Sequence, residues 1–428
     1  MTIRALALAV LVTLSLFTRT TPAQTYTFNT PNGTWGTAAN WTPSSGGVVV
    51  PNSLTAIARF NTASAYNADV DGTYDVLGLQ FGANQTGTVN VRSVGTAPPT
   101  RQINLNPGTG ANGSILGNNG RTTIYMESGA ANQTISTAVL LSGGSAGAPV
   151  SHVWEVPASR TLTVSGQITA TSSSGNTLTK DGAGTLALSN NNSGSPLWTG
   201  GLTVNQGTLL VNNPFGGGTG IGPVAVNSGA TLGGRGVVAM GVSTTLAPIQ
   251  TVISNGGTLF AGTSAGAPKL QFSPSNLGSN TGLRMDTGST LAVKLFGTGA
   301  TENSLVNVVN GDANVTGAKI AIDLGSVTPT NLRTAVGVGM TRTYTILTAD
   351  NSLSGTGFTG GLMFSNLNGF DPSEWSFVNA TDFNTGTGTV TLNYTAAPVS
   401  EPRSLLALAT LAVVGFYGLR TRKNRDVI

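Results

Sequence analysis

Apolar and polar residues alternate with a period of two along most of the chain, and helical periodicity is almost absent between its two ends. Examples are residues 185–188 (TLAL), 202–205 (LTVN) and 208–211 (TLLV). Because neighbouring side chains on a strand point to opposite faces, this pattern predicts short β-strands with one buried face. Clusters of Gly, Asn and Asp between the runs are typical of tight turns. The pattern therefore predicts an all-β body.

Thr-Leu pairs recur at nearly equal spacing within this body. The first Thr of each pair lies 24, 23, 23 and 27 residues after the previous one, at Thr161, Thr185, Thr208, Thr231 and Thr258. Spacings in the twenties are typical of solenoids, in which one unit buries its apolar face only against its neighbours. We therefore predict a right-handed parallel β-helix with Leu186, Leu209 and Leu232 stacked inward. At 23 residues per coil, the rod would be roughly 75 Å long.

Both ends of the chain have the character of sorting segments. Residues 1–24 combine Arg4, an apolar run (ALALAVLVTLSLF) and small residues before Ala23, which indicates a secretory signal peptide; an uncleaved anchor is the alternative. At the other end, an apolar segment over residues 404–419 follows a short polar motif. It predicts a membrane helix followed by a cytoplasmic basic stop, whose members are Arg420, Arg422, Lys423 and Arg425.

The polar motif before this helix is Ser400-Glu401-Pro402, and the tail as a whole resembles the PEP-CTERM sorting signal of Gram-negative bacteria. In that family an exosortase, a membrane transpeptidase-like enzyme, recognises and cuts the tail. The usual first Pro is replaced by Ser400, whereas Glu401 and Pro402 match. The resemblance implies transient contact with the inner membrane and release near the motif. A plain C-terminal anchor is the alternative.

A second resemblance lies in the repeat itself. Residues 182–191 (GAGTLALSNN), 198–211 (WTGGLTVNQGTLLV) and 226–236 (VNSGATLGGRG) resemble the autotransporter-associated β-strand repeat, which has Gly-Thr-Leu strands, an Asn-rich turn and an aromatic residue before Thr-Gly-Gly. We expect the following regions in order: a signal peptide (1–24), an N-terminal β-rich region (25–175), the repeat region (176–262), a C-terminal β-rich region (263–396) and the sorting signal (397–428).

The charge pattern argues against nucleic-acid binding. Seven basic and two acidic residues lie in the two ends, so that 13 basic and 14 acidic residues remain in the body. No basic stripe is left to neutralise phosphates. Charged residues make up only 8% of the chain, and cysteine is absent, which excludes disulfides and thiol chemistry.

Few residues suit catalysis or metal binding. The one histidine, His152, has no triad pattern around it and is interpreted as an ordinary strand residue. Asp69, Asp71 and Asp75 surround a Gly and form a weak candidate for Ca²⁺, with a solvated turn as the alternative. Five tryptophans could stack on sugars or fill the core. They are Trp35, Trp41, Trp154, Trp198 and Trp375.

These observations favour an exported structural or adhesive protein of the cell surface or extracellular matrix, without a cofactor and without enzymatic activity. Its expected partners are the secretion machinery and an exosortase, with extracellular polysaccharide as a further candidate. The alternatives are a carbohydrate-binding matrix protein and, less favoured, a polysaccharide-degrading β-helix enzyme.

Overall fold

The protein is mostly β, with 52% of its residues in strands and 4% in helices. The structure is a computed structural model. It describes residues 23–94, 101–107, 122–143, 148–171, 175–194, 197–241, 250–262, 269–274, 281–378 and 388–397. Period-two burial runs along the strands, as the alternation predicted.

The first twenty strands lie between residues 24 and 234. They are β1 Gln24–Phe28, β2 Gly33–Thr34, β3 Trp41–Pro43, β4 Ser53–Phe60, β5 Tyr66–Val70, β6 Thr73–Phe81, β7 Val89–Ser93, β8 Gln102–Leu105, β9 Thr122–Met126, β10 Gln133–Ile135, β11 Ala138–Leu141, β12 Ser151–Glu155, β13 Thr161–Val164, β14 Ile168–Ala170, β15 Thr177–Asp181, β16 Thr185–Leu188, β17 Leu202–Val204, β18 Thr208–Val211, β19 Val224–Val226 and β20 Thr231–Gly234.

The remaining elements include one α-helix, α1 Pro329–Val336, and two short 3-10 helices, Ala38–Asn40 and Pro372–Glu374. The strands are β21 Val237–Met240, β22 Thr251–Ile253, β23 Thr258–Phe260, β24 Lys269–Pro274, β25 Thr281–Met285, β26 Thr290–Lys294, β27 Leu305–Val308, β28 Asp312–Asp323, β29 Thr341–Ala349, β30 Leu353–Phe358, β31 Met363–Asn366, β32 Trp375–Val378 and β33 Gly388–Thr395.

The strands form a coil with two long faces, and each strand pairs in parallel with the equivalent strand of the next coil. Face 1 begins with β1, β4 and β6 and ends with β25, β28 and β30. Face 2 contains β2, β5, β7, β10, β13, β16, β18, β20, β23, β26, β28 and β31. This arrangement is that of a parallel β-solenoid.

A third face is present only in the later coils. Face 3 joins β21, β24, β27 and β29 in parallel, and β33 and β32 then close it in an antiparallel arrangement. The sequence did not predict this face, because its strands lie between Thr-Leu pairs and follow no common spacing.

Aromatic side chains fill the first coil. Trp35 and Trp41 are almost completely buried, with ring centroids 4.7 Å apart, and Trp41 lies 4.8 Å from Phe28. β3 pairs antiparallel with β1 at this end. The structure supports the interpretation that these tryptophans cover the start of the stack, where an open strand edge would otherwise promote aggregation.

Helix α1 and an aromatic cluster cover part of the other end. Thr328 caps the helix by accepting a hydrogen bond from the backbone N–H of Asn331, and Leu332 is fully buried. Arg333 extends from the helix to Glu374, with 2.7 Å between its Nη2 and the Glu374 Oε1. The buried Glu374 carboxylate is thus paired, as burial of a charge requires.

The main sheet is continuous across the expected region boundaries at 175/176 and 262/263. β12 pairs with β15 across the first boundary, and β23 pairs with β26 across the second. The N-terminal β-rich region therefore belongs to the same solenoid as the repeats. The division into separate regions stays a prediction from sequence.

Coil lengths differ more than the sequence predicted. Val91 pairs with Ile135, 44 residues later, because β8 and β9 are inserted within that coil. The twelve face-2 strands of the described chain span eleven steps, or about 53 Å at ~4.8 Å per step. The rod of roughly 75 Å expected from uniform 23-residue coils is therefore an overestimate.

The inner face of β18 provides a test of the stack. We expect Leu209→Asp to lower the free energy of unfolding by several kcal/mol, because Leu209 is fully buried between Leu186 and Leu232 and a carboxylate there would have no partner. Leu210→Asp is the matched control, since Leu210 lies on the outer side of the same strand. Urea unfolding followed by circular dichroism measures both. Equal stability of the two variants would contradict the inward position of Leu209.

Candidate functional site

The most regular surface of the molecule is on face 2, where equivalent residues of successive coils are in register. Each Thr of the Thr-Leu pairs lies beside the next one: Thr161, Thr185, Thr208, Thr231, Thr258 and Thr290. These half-buried side chains point outward, and the Leu that follows each of them is buried inside. The predicted alignment is confirmed residue by residue, and it extends one coil further, to Thr290.

Buried asparagines connect the coils at the turns. Asn192 accepts a hydrogen bond from the Ile168 backbone N–H (2.7 Å) and donates to the Gly218 carbonyl (2.6 Å). Asn213 similarly accepts from the Val237 N–H (3.0 Å) and donates to the carbonyls of its own turn. The two side chains satisfy backbone groups that would otherwise be buried without partners.

Trp198 fills the interior of its own coil. It is fully buried, and its Nε1 donates to the Asn176 carbonyl at 3.2 Å. Gly220 lies against the indole at φ +74°, where a Cβ would overlap the ring. The core interpretation of Trp198 is confirmed.

None of the five tryptophans offers a face for sugar stacking, because each is at most 5% exposed. That hypothesis, which the sequence left open, is wrong for these residues.

Lys180 is a buried cation that sequence reasoning missed. Its Nζ donates to the carbonyls of Asp181 (3.0 Å), Gly182 (2.6 Å) and Gln206 (2.9 Å), which belong to two neighbouring turns. Burial lowers the pKa of the ammonium to about 8, and the nearby Asp181 and Glu155 oppose the shift. The alternation from Leu178 already indicated that Lys180 points inward, so a signal existed.

Residues 178–211 match the model of the passenger-associated-transport-repeat family, PATR. The match begins on β15 and ends on β18, so that it contains Lys180, Asn192, Trp198 and Leu209. It confirms the resemblance to autotransporter-associated repeats over this stretch. A search of curated proteins found no match to the chain.

The PATR segment explains why its turns are built as they are. Its two Gly-Thr-Leu strands, β16 and β18, pair in register, and Gly207 at φ +67° leaves no room for a Cβ against the Gly184 carbonyl. The segment is thus a structural unit whose features serve the stacking of coils. It contains no histidine.

The three aspartates of the calcium candidate have separate partners. Asp69 pairs with Arg92, whose Nε lies 2.7 Å from Oδ1. Asp71 accepts hydrogen bonds from the Tyr74 hydroxyl (2.7 Å) and the Gly36 N–H (2.9 Å). Asp75 accepts one from Asn104 (2.9 Å). Within the described ranges, no group of three or more His, Asp or Glu is placed to hold a metal ion. Calcium binding stays an untested hypothesis.

His152 is a fully buried residue of β12. Its Nε2 lies 3.1 Å from the Ser142 carbonyl, which only accepts, so the proton is on Nε2; Nδ1 lies 3.4 Å from the Thr123 hydroxyl. Burial lowers the pKa of the imidazole to about 3, partly offset by the hydrogen bond to Ser142. Such a neutral imidazole serves packing.

The sorting residues lie outside the described residues. This applies to Ser400, Glu401 and Pro402, to the basic stop after residue 419, to the apolar helix predicted over residues 404–419, and to residues 1–22 of the signal peptide. In the part of the chain that the structure describes, no helix has the length and apolar character needed to cross a membrane.

Two surface clefts of about 400 Å³ remain as candidate binding sites. The first lies on the outer side of face 2 around Phe260, Lys294 and Asp323, and the second lies on face 3 around Lys269 and Asn303. Only the first has an aromatic residue among its described lining residues.

We expect the stability of the protein to fall in acid partly through His152. The pKa is about 3 in the folded state and ~6.5 in the unfolded chain, so the stabilising contribution is complete above pH 6.5 and is lost as the pH falls towards 3. Between pH 7 and 4.5 the loss is about 3 kcal/mol. Urea unfolding at both pH values should therefore show a smaller pH effect in His152→Gln than in the parent. Identical pH effects would contradict the buried neutral imidazole.

Proposed function

We propose that this is an exported structural protein of the cell surface or extracellular matrix, in which the solenoid acts as a rigid, neutral scaffold with an adhesive role. The observation that carries the proposal is the in-register stack of coils on face 2, together with the PATR match over residues 178–211. Such a stack places repeated, weakly charged side chains at fixed intervals over many coils.

The chemistry of the body supports this role. Cysteine is absent, and the charged content is 8%. Stability in the described part of the chain therefore rests on backbone ladders, buried leucines and asparagine-linked turns. We also propose that the coil is right-handed, which is the hand adopted by about 98% of parallel crossover connections in one sheet.

The C-terminal tail supports transient attachment to the inner membrane followed by release. Sixteen apolar or small residues, 404–419, would give a helix of about 24 Å, which is near the lower limit for a membrane span. Pro402 favours an extended conformation at Glu401, which would let a membrane enzyme of the exosortase type reach the motif. We therefore expect the mature protein to end near Ser400 to Pro402.

Intact-mass analysis of the protein from its native host tests this proposal. We expect the wild-type protein to have lost its tail and to leave the inner membrane, whereas Glu401→Ala keeps the tail. Asp426→Ala is the matched control, because it removes an acidic residue beyond the helix and leaves the motif unchanged; its mature mass should equal that of the wild type. Wild-type protein that retains Arg420 through Ile428 and fractionates with the inner membrane would replace sorting by simple anchoring.

A further inference from the structure

The larger apolar opening on face 2 has a defined structural cause. Phe260 points outward from β23, and its ring lies over Gly233 of the preceding coil, where a Cβ would overlap the ring atoms. The equivalent outward positions in the next two coils are Ala292 and Ala321. Because the ring leans back over Gly233 and the next two side chains are small, a cleft of about 400 Å³ is left open beside Phe260.

Opposite charges lie at one side of this cleft. Lys294 and Asp323 are paired across adjacent coils, with 3.2 Å between Nζ and Oδ2, and their side chains are 50% and 41% exposed. Both charges are thus available to solvent, and they cancel each other. A ligand that both accepts and donates hydrogen bonds matches such a pair, whereas an anion would be repelled by Asp323 and a cation by Lys294.

Vicinal hydroxyl groups meet this requirement. One hydroxyl can accept from the Lys294 ammonium while its neighbour donates to the Asp323 carboxylate. The apolar C–H face of a sugar ring fits an aromatic wall, since aromatic side chains combine a large apolar area with a π face. The size of the cleft lies within the usual range of ligand pockets.

The threonine column extends from this cleft along the solenoid axis. Thr258 and Thr290 lie two positions before Phe260 and Ala292 on the same outer face, and the column continues to Thr161 at ~4.8 Å per coil. This repeat is close to the length of one hexose unit in an extended glycan. Hydroxyls at that spacing can contact successive units of a chain that runs parallel to the axis.

We propose that this face binds a neutral polysaccharide chain, with Phe260, Lys294 and Asp323 holding one unit in the cleft and the threonine column contacting the units beyond. The inference rests on the proposed function, because a matrix scaffold is where such a polymer is encountered. It assigns the binding to face 2 and to uncharged glycans.

Isothermal titration of the purified full-length protein with cellohexaose, laminarihexaose, xylohexaose, mannohexaose and hexagalacturonate tests the proposal. We expect at least one neutral hexasaccharide to bind, more tightly than its disaccharide, and the acidic one not to bind. Phe260→Ala should weaken the binding about tenfold, which is the order of one aromatic contact. Phe215→Ala is the matched control, because Phe215 is 68% exposed and lies outside the cleft.

A second variant protects the test against effects on folding. Asp323→Asn keeps the shape of the cleft and removes the carboxylate, and we expect it to weaken binding with an unchanged melting temperature. Three results would overturn the proposal: no binding of any neutral hexasaccharide, binding of hexagalacturonate alone, or equal affinity of the parent and Phe260→Ala. Each would leave the mass and fractionation results for the tail unaffected, so a failure here is distinguishable from a failure of the scaffold function.

Discussion

The parallel hydrogen-bond ladder between successive coils is the interaction on which the rest of the structure depends. Each coil has too little apolar surface to fold alone, and it buries its leucines only against the coils before and after it. Because the ladder keeps Leu162, Leu186 and Leu209 in register, identical side chains stack directly inside. The same register aligns the threonines outside, so one constraint produces both the core and the surface pattern.

The turns are adapted to maintain that register. Parallel coils bring turn carbonyls and N–H groups into the interior, where unpaired polar groups are costly. Asn192, Asn213 and Lys180 satisfy them by bridging from one coil to the next. These residues stabilise the scaffold, and their polar character does not indicate catalysis. The absence of disulfides is consistent with a structure in which bridging contacts are distributed over many coils.

The repeat section of the fold was predictable from sequence because its coils are nearly equal in length and share the Thr-Leu pair. Thr290 was missed since its coil is 32 residues long, counted from Thr258. Face 3 and the 44-residue coil were missed because alternation indicates which side of a strand is buried, but not which strands become neighbours. The cleft could not be predicted for the same reason: the outward position of Phe260 follows from alternation, whereas its neighbours Gly233, Ala292 and Ala321 come from three other coils.

Distances between spin labels along the threonine column test the register of the coils most directly. The chain has no cysteine, so cysteines introduced at Thr161 and at one of Thr231, Thr258 or Thr290 are labelled specifically. The stack predicts backbone separations of about 14, 19 and 24 Å for three, four and five steps, with equal increments although the coils between them contain 27 and 32 residues. Unequal increments, or separations that grow with the number of intervening residues, would contradict the in-register solenoid.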